Sequence, residues 1–349
     1  MLACGEQALT HGLFQDEAGD AILCGARGVQ EVKLGPNAGR TGNGNGNKGR
    51  GVESPEVGLN AHVSDFSVAG VLAYNRNEVA AVNNRLMNAC FPRSNGYNPE
   101  WVIAGVSGGA NPLWVTEWLA PAMDLRPGMR VLDLGCGRAM SSIFLRREFG
   151  VQVWATDLWC GASENLQRIR DAGVEDGVFP IHAEARALPF ANDFFDAIVS
   201  IDSFPYYGTD DHYLNYLARF VKPGGPIGIA GAALLREIEG PIPDALKAWW
   251  EPNLTCLHSA GWWRRHWELT GIVDVELADS MADGWRHWLQ WHHVIAPDNF
   301  AEIQALEQDR GEYLGYMRAV GRRRAGVKLD EPITSIPSIY ESRPLLRTD

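Results

Sequence analysis

One stretch concentrates residues whose types and order can do chemistry: Val131-Leu132-Asp133-Leu134-Gly135-Cys136-Gly137-Arg138-Ala139. A short apolar run ends near an acid. The glycines after it let the backbone turn tightly and approach a ligand at the carboxyl edge of a sheet. The stretch is a poor dinucleotide fingerprint, because the sixth position of the glycine pattern is Met140 rather than Gly or Ala. A carboxylate at Asp133 would repel phosphates and help to hold a cationic ligand. Asp157 closes the next apolar run, 22 residues after Gly135. That spacing sets a carboxylate against the two hydroxyls of a ribose. The pattern therefore asks for a nucleoside without phosphates. S-adenosylmethionine combines a ribose, an ammonium and a sulfonium.

Further stretches follow in order: Ala183-Glu184-Ala185-Arg186-Ala187-Leu188-Pro189-Phe190, then Phe195–Ser200, then Val221-Lys222-Pro223-Gly224-Gly225. With VLDLGCGRA and Asp157 they resemble the class I S-adenosylmethionine-dependent methyltransferases over roughly residues 95–323. Within that family the motifs look like the small-molecule branch, similar to the menaquinone/ubiquinone and cyclopropane-type enzymes. The resemblance implies a Rossmann-like, doubly wound, mostly parallel sheet with an antiparallel last strand. It implies S-adenosyl-L-methionine as cofactor, held by Asp133, Gly135, Cys136, Gly137, Asp157, Leu158, Glu184, Ala185 and Ser200. Glu184 takes the place of the acid that contacts the adenine amino group. The family's third glycine is replaced by Ala139, a departure that tightens the loop.

Methyl transfer from a sulfonium is an in-line displacement, so the protein must align an acceptor, exclude water and sometimes remove a proton. Acceptor-side residues are expected where the fourth strand ends, at Asp202-Ser203-Phe204-Pro205-Tyr206-Tyr207-Gly208-Thr209-Asp210-Asp211-His212. Tyr206 and Tyr207 are candidates to line the acceptor pocket, and His212 is a candidate base near neutral pH. His212 read as a plain helix-start residue is the competing expectation. The stretch is not the [DN]-P-P-[YFW] motif of amide and nucleobase N-methylation. Asn111-Pro112-Leu113-Trp114 precedes the glycine loop and is a decoy for that motif. Eight of 13 tryptophans and five of nine histidines fall between residues 249 and 293. Trp263/Trp267 and Trp285/Trp288 are spaced to share helix faces. They predict an aromatic helical cap packed on the sheet, or an apolar acceptor pocket over the cofactor, of which an aromatic cage for a cationic amine is a special case. His287, His292 and His293 fit no closed zinc set, and no metal is expected. The arginines at 264–265 and 322–324 read as solvated faces, with steering of an anionic substrate group as the alternative.

These residues need elements to position them. After Arg126-Pro127-Gly128 the chain alternates strands and helices, which implies a parallel sheet covered on both faces. Strands are predicted at Arg130–Leu134, Gln152–Thr156, Phe179–His182, Asp196–Ile201, Pro226–Ala230, Ile272–Leu277 and Tyr313–Arg322. Helices are predicted at Asn77–Asn88, after Asn98-Pro99 and Asn111-Pro112, at Ala139–Phe149, Glu164–Ala172 and Asp211–Phe220, and near 242–251, 259–270, 283–294 and 298–309.

At the scale of the chain, 349 residues with 46% hydrophobic content bound one large domain or two small ones. The methyltransferase domain is expected over 76–325, its cap contributed by 76–125 and 240–310. Residues 1–75 hold 13 of the 38 glycines within their first 60 positions, including Gly42–Gly51. They are expected to be a flexible low-complexity extension, and 326–349 an irregular tail. The net charge of −12 weighs against a nucleic-acid partner. No apolar run reaches the length of a membrane span, and no secretory leader is visible. The six scattered cysteines are expected to be free thiols in a cytoplasmic protein. The function this predicts is methyl transfer to an O, N or C atom of a small molecule. A cyclopropane-type lipid-modifying enzyme and a cofactor-binding protein without catalysis are the alternatives. The oligomeric state stays open.

Overall fold

In the computed structural model, residues 85–106 and 109–329 are described, together with three short strands at Gly12–Gln15, Ala21–Gly25 and Gly28–Glu31. Those three pair antiparallel as a small sheet of their own. They belong to a unit spanning residues 5–81, separate from the unit that carries everything below. The rest of the extension expected over 1–75 lies outside the described residues. So do most of the Asn77–Asn88 helix and most of the 326–349 tail.

The main sheet is built from β1 (Arg130–Leu134), β2 (Gln152–Asp157), β3 (Val178–His182), β4 (Ala197–Ile201), β5 (Pro226–Leu234), β6 (Val273–Ser280) and β7 (Leu314–Arg323). Their spatial order is β3-β2-β1-β4-β5-β7-β6. The pairs from β3 to β5 are parallel, whereas β7 runs antiparallel to both β5 and β6. This is the Rossmann-like sheet that the sequence predicts, with its last strand reversed. Strand order turns back between β1 and β4, and a sheet of this kind opens a crevice outside the carboxyl ends of its strands there.

Every residue of β4 and β5 is buried, as strands covered on both faces require. Alternation sends neighbours to opposite sides. Val131 joins the core under α2 (Pro112–Leu119) and α3 (Met140–Phe149), while Leu132 and Leu134 join the core under α6 (Tyr213–Leu217) and α7 (Ala260–Thr270). Asp133 therefore shares the α3 face with Val131. The remaining helices are α1 (Pro99–Ala104), α4 (Ala162–Asp171), α5 (Pro205–Gly208), α8 (Gly284–Ile295) and α9 (Phe300–Asp309).

Asn98-Pro99 and Asn111-Pro112 are helix starts. Each asparagine side chain accepts backbone N–H groups of its own first turn, and each proline occupies a position that lacks a helical donor role. The helix predicted near 242–251 is not formed. Bonds from Leu246 to Pro243 and from Trp249 to Leu246 make successive three-residue turns instead. Pro241 and Pro243 disfavour helical backbone at Gly240 and Ile242, the residues before them, so the predicted start is blocked. The Asp211–Phe220 helix shrinks to α6. Among the described residues no helix is long and apolar enough to cross a membrane.

Candidate active site

The glycine loop leaves β1 with three left-handed residues, Gly135, Gly137 and Ala139 (φ 72°, 54° and 58°). Backbone N–H groups of Gly135 and Cys136 both donate to the Thr156 carbonyl of β2, at 2.8 and 3.1 Å. Gly135 is required by close approach as well, since a Cβ there would lie 1.9 Å from Ser203 Oγ. Ala139 takes the conformation a glycine would take. That costs a residue with a Cβ about 1 kcal/mol, a strain the fold carries at the start of α3.

Asp157 ties this loop to β2. One carboxylate oxygen accepts the Gly137 N–H at 2.8 Å, and the other accepts those of Trp159 and Cys160, each at 2.8 Å. The residue is 3% exposed yet stands on the wall of a cleft. From α4, Asn165 adds a second tie, with its Nδ2 donating to the Gly137 carbonyl at 2.9 Å. Sequence reasoning missed Asn165, because a mid-helix asparagine carries no motif and only its burial at 1% marks it.

Asp133 is placed differently from the sequence expectation. It is fully buried beneath the loop, and one oxygen accepts both the Ser141 and the Ser142 hydroxyls at 2.6 Å. Desolvation raises its pKa from 3.8 to about 6, against the two serine bonds and with help from the nearby Asp157 charge. It braces α3 and is not among the residues lining the cleft. Cys136, Gly137 and Ser200 likewise stand behind the wall. Cys136 is buried, with its thiol pushed up by burial. Ser200 donates to the Leu134 carbonyl at 2.8 Å.

The cleft encloses about 660 Å³ of empty space, part of it open to solvent. Gly135, Asp157, Leu158, Glu184 and Ala185 of the predicted set line it, with Thr156, Trp159, Arg186 and Ser203 added by the structure. Glu184 lies 3.3 Å from the Arg186 guanidinium. A nucleoside would meet Asp157 at the ribose position, and Glu184 and Leu158 beyond it.

The other end of the cleft comes from the segment after β4. Tyr206 and Tyr207 both line it. The Tyr207 hydroxyl lies 3.2 Å from both Ser200 Oγ and Ser203 Oγ, so this phenol stitches the segment to β4. The Tyr206 hydroxyl has no hydrogen-bond partner among the described residues. Burial holds both phenols protonated far above neutral pH, with Asp202 adding to the effect at Tyr206. Asp202 itself is left-handed (φ 53°). Its two oxygens accept the N–H groups of Ala110 and Ala232, each at 2.9 Å, tying the α2 approach to β5. His212 is exposed, and its backbone N–H donates to Asp210; its side chain does not line the cleft. The geometry thus separates it from the two tyrosines.

The tryptophan cluster serves this segment from below. Phe204, 1% exposed, meets Trp263 and Trp267 of α7 edge-on at 5.5 and 5.9 Å. Trp288 stacks on Tyr316 at 5.7 Å. Among the described residues the cleft wall includes one tryptophan, Trp159, which is 63% exposed. Trp263, Trp267, Trp288 and Trp291 are core, and Trp262 and Trp285 are half-buried away from the cleft wall. His287, His292 and His293 diverge. The first lies 2.9 Å from Asn88 Nδ2, the second faces buried Glu302 at 3.0 Å, and the third is exposed.

A reversed seventh strand, a glycine loop after β1 and an acid closing β2 together define the class I methyltransferase fold. Residues 131–225 of the chain match the family model described as a methyltransferase domain. Among curated proteins, the methyltransferase GfsG of Streptomyces halstedii is 35% identical over 135 residues, 38% of this chain and 47% of its own. The ubiquinone/menaquinone biosynthesis C-methyltransferase UbiE of Vibrio campbellii is 33% identical, over 40% of this chain and 53% of its own. The chain thus spans about half the length of these relatives. A solved structure of the [4+2]-cyclase SpnF superimposes with a TM-score of 0.51 at 19% identity, covering 64% of this chain and 84% of that one. Geranyl diphosphate C-methyltransferase from Streptomyces coelicolor superimposes with a TM-score of 0.50 at 19% identity, covering 60% and 76%.

Proposed function

We propose that the protein is an S-adenosylmethionine-dependent methyltransferase acting on a small molecule. The observation that carries this reading is one cleft that joins Gly135, Asp157 and Glu184 to Tyr206 and Tyr207 across the carboxyl ends of β1, β2 and β4. The residues present fit the cofactor. A carboxylate stands where ribose hydroxyls belong, a second acid stands beyond it, and the glycine backbone admits close approach. When bound there, the cofactor supplies an electrophilic methyl group. Asp157 and Asn165 hold the loop in the shape that binds. Ser203, Tyr206 and Tyr207 shape the end at which an acceptor is aligned, and the buried aromatic floor under Phe204 keeps that segment from shifting.

The fold alone does not settle the chemistry, since it also superimposes on a cyclase. The cleft residues favour methyl transfer. Calorimetric titration with S-adenosylhomocysteine tests the reading. Micromolar binding by the full chain is expected, and a folded protein that fails to bind would overturn it.

A further inference from the structure

Glu184 can read a nucleobase only if the chain that carries it is held still, and residues 183–190 leave β3 with no strand or helix of their own. Two backbone bonds fix the start of this loop. The Ala183 N–H donates to the Asp157 carbonyl at 3.0 Å, and the Ala187 N–H closes a turn on the Glu184 carbonyl at 2.9 Å. Two further backbone groups are met by side chains of α6. The Tyr213 hydroxyl donates to the Ala185 carbonyl at 2.9 Å, and the Tyr216 hydroxyl accepts the Leu188 N–H at 2.6 Å. These bonds bracket the two residues that follow the Glu184–Ala185 pair on the cleft wall. Backbone groups outside regular structure need such partners. The tyrosines are three positions apart, so one face of α6 presents both phenols to the loop.

Tyr213 also reaches the other way. It is 4% exposed, and its ring meets Tyr207 at 5.0 Å and Phe204 at 5.7 Å. Phe204 in turn rests on Trp263 and Trp267. The loop thus borrows its rigidity from the aromatic floor, through one phenol. Phenylalanine would keep the ring packing and lose only the bond to Ala185. The carboxylate of Glu184 is partly exposed and lies 3.3 Å from the Arg186 guanidinium. Such a group discriminates between partners only when it is well aimed, because a hydrogen bond weakens steeply as its angle closes.

Resting on the cofactor reading, we propose that Tyr213 and Tyr216 are positioning residues that set selectivity for an adenine base, by holding the loop so that Glu184 accepts the 6-amino group. S-inosylhomocysteine carries an oxygen in place of that amino group, and a carboxylate aimed at the position rejects it. Calorimetric titration of the full chain with S-adenosylhomocysteine and with S-inosylhomocysteine tests the proposal. The wild-type protein is expected to prefer the adenine ligand by about tenfold or more, and Tyr213→Phe and Tyr216→Phe each to lower that preference to about threefold or less. Tyr97→Phe, whose lost hydroxyl bonds Glu148 and stands off the cleft wall, should keep it. A ratio of two affinities on one preparation does not depend on the folded fraction, so a loss of stability alone leaves it unchanged. Should one loop variant fail to fold, the other decides. An undiminished preference in a folded Tyr213→Phe or Tyr216→Phe protein, an equal fall in Tyr97→Phe, or wild-type protein that binds both ligands alike would each overturn the proposal while leaving the cofactor reading standing. If S-adenosylhomocysteine itself does not bind the wild-type chain, both fall together.

Discussion

Asp157 has two tasks, and only one was visible in the sequence. Its spacing from Gly135 marks a ribose contact, for which simple truncation is expected to cost affinity and nothing else. The structure adds three backbone N–H groups that depend on the same carboxylate. Asp157→Ala is therefore expected to weaken S-adenosylhomocysteine binding at least tenfold. It should also lower stability by about 2 kcal/mol, the order for leaving a buried donor unmade. Denaturant melts and calorimetry on one preparation check both, and wild-type affinity in the folded variant would remove the ribose assignment. Asp133 makes a pH prediction. Its folded-state pKa, about 6, stands above the ordinary 3.8. The native state thus holds the proton more tightly than the unfolded chain. Its contribution is most favourable below about pH 4 and is lost as the pH rises through 6. Two units correspond to about 3 kcal/mol, an upper bound for the gain from Asp133→Asn at pH 8, since the new amide N–H₂ faces an unpartnered position. At pH 4 no gain is expected. Melting curves of the two proteins that run parallel from pH 4 to 8 would show that Asp133 is not the titrating group.

Elements divide by how local their causes are. The strands β1 to β5 are legible because short apolar runs between turn residues leave little else for the chain to do. Asn98-Pro99 and Asn111-Pro112 are legible because capping chemistry is contained in four residues. The 242–251 segment misleads: Ile242, Leu246 and Trp249 sit at helical spacing, but Pro243 disfavours a helical Ile242, and Leu246 and Trp249 are buried from turns instead. In the site, Gly135, Asp157, Leu158, Glu184, Ala185, Tyr206 and Tyr207 reach the cleft as their motif positions imply. What sequence could not place is direction. Asp133 points to α3 because strand alternation puts it on the Val131 face, and His212 is exposed at the residue just before α6. Nor could spacing tell whether Trp263 and Trp267 face a ligand or a floor. Phe204, fifty-nine positions before Trp263 in the chain, decides that.

At the scale of the whole molecule the charge of −12 is not spread neutrally with respect to function. Two of its acids, Asp157 and Glu184, stand on the described wall of the cleft, where they suit a cationic cofactor. The basic side chains of β7 and its exit are consumed in ion pairs along the sheet edge. Function and stability are also expected to be partitioned along the chain. The described residues lining the cleft lie between Leu134 and Tyr207, inside the unit that begins near Val82. The glycine-dense stretch before it brings little side-chain area to bury, and its glycines lose the most entropy on ordering. A chain starting at Arg76 is therefore expected to bind S-adenosylhomocysteine within twofold of the full chain. Its melting temperature should stay within about 2 °C, a shift worth less than ~1 kcal/mol for a unit of this size. Differential scanning calorimetry of the two chains side by side measures this. A fall of several degrees, or a lost cofactor affinity, would mean that residues 1–75 contribute packing or a binding contact that their composition conceals, and the division of the chain into a working unit and an extension would have to be abandoned.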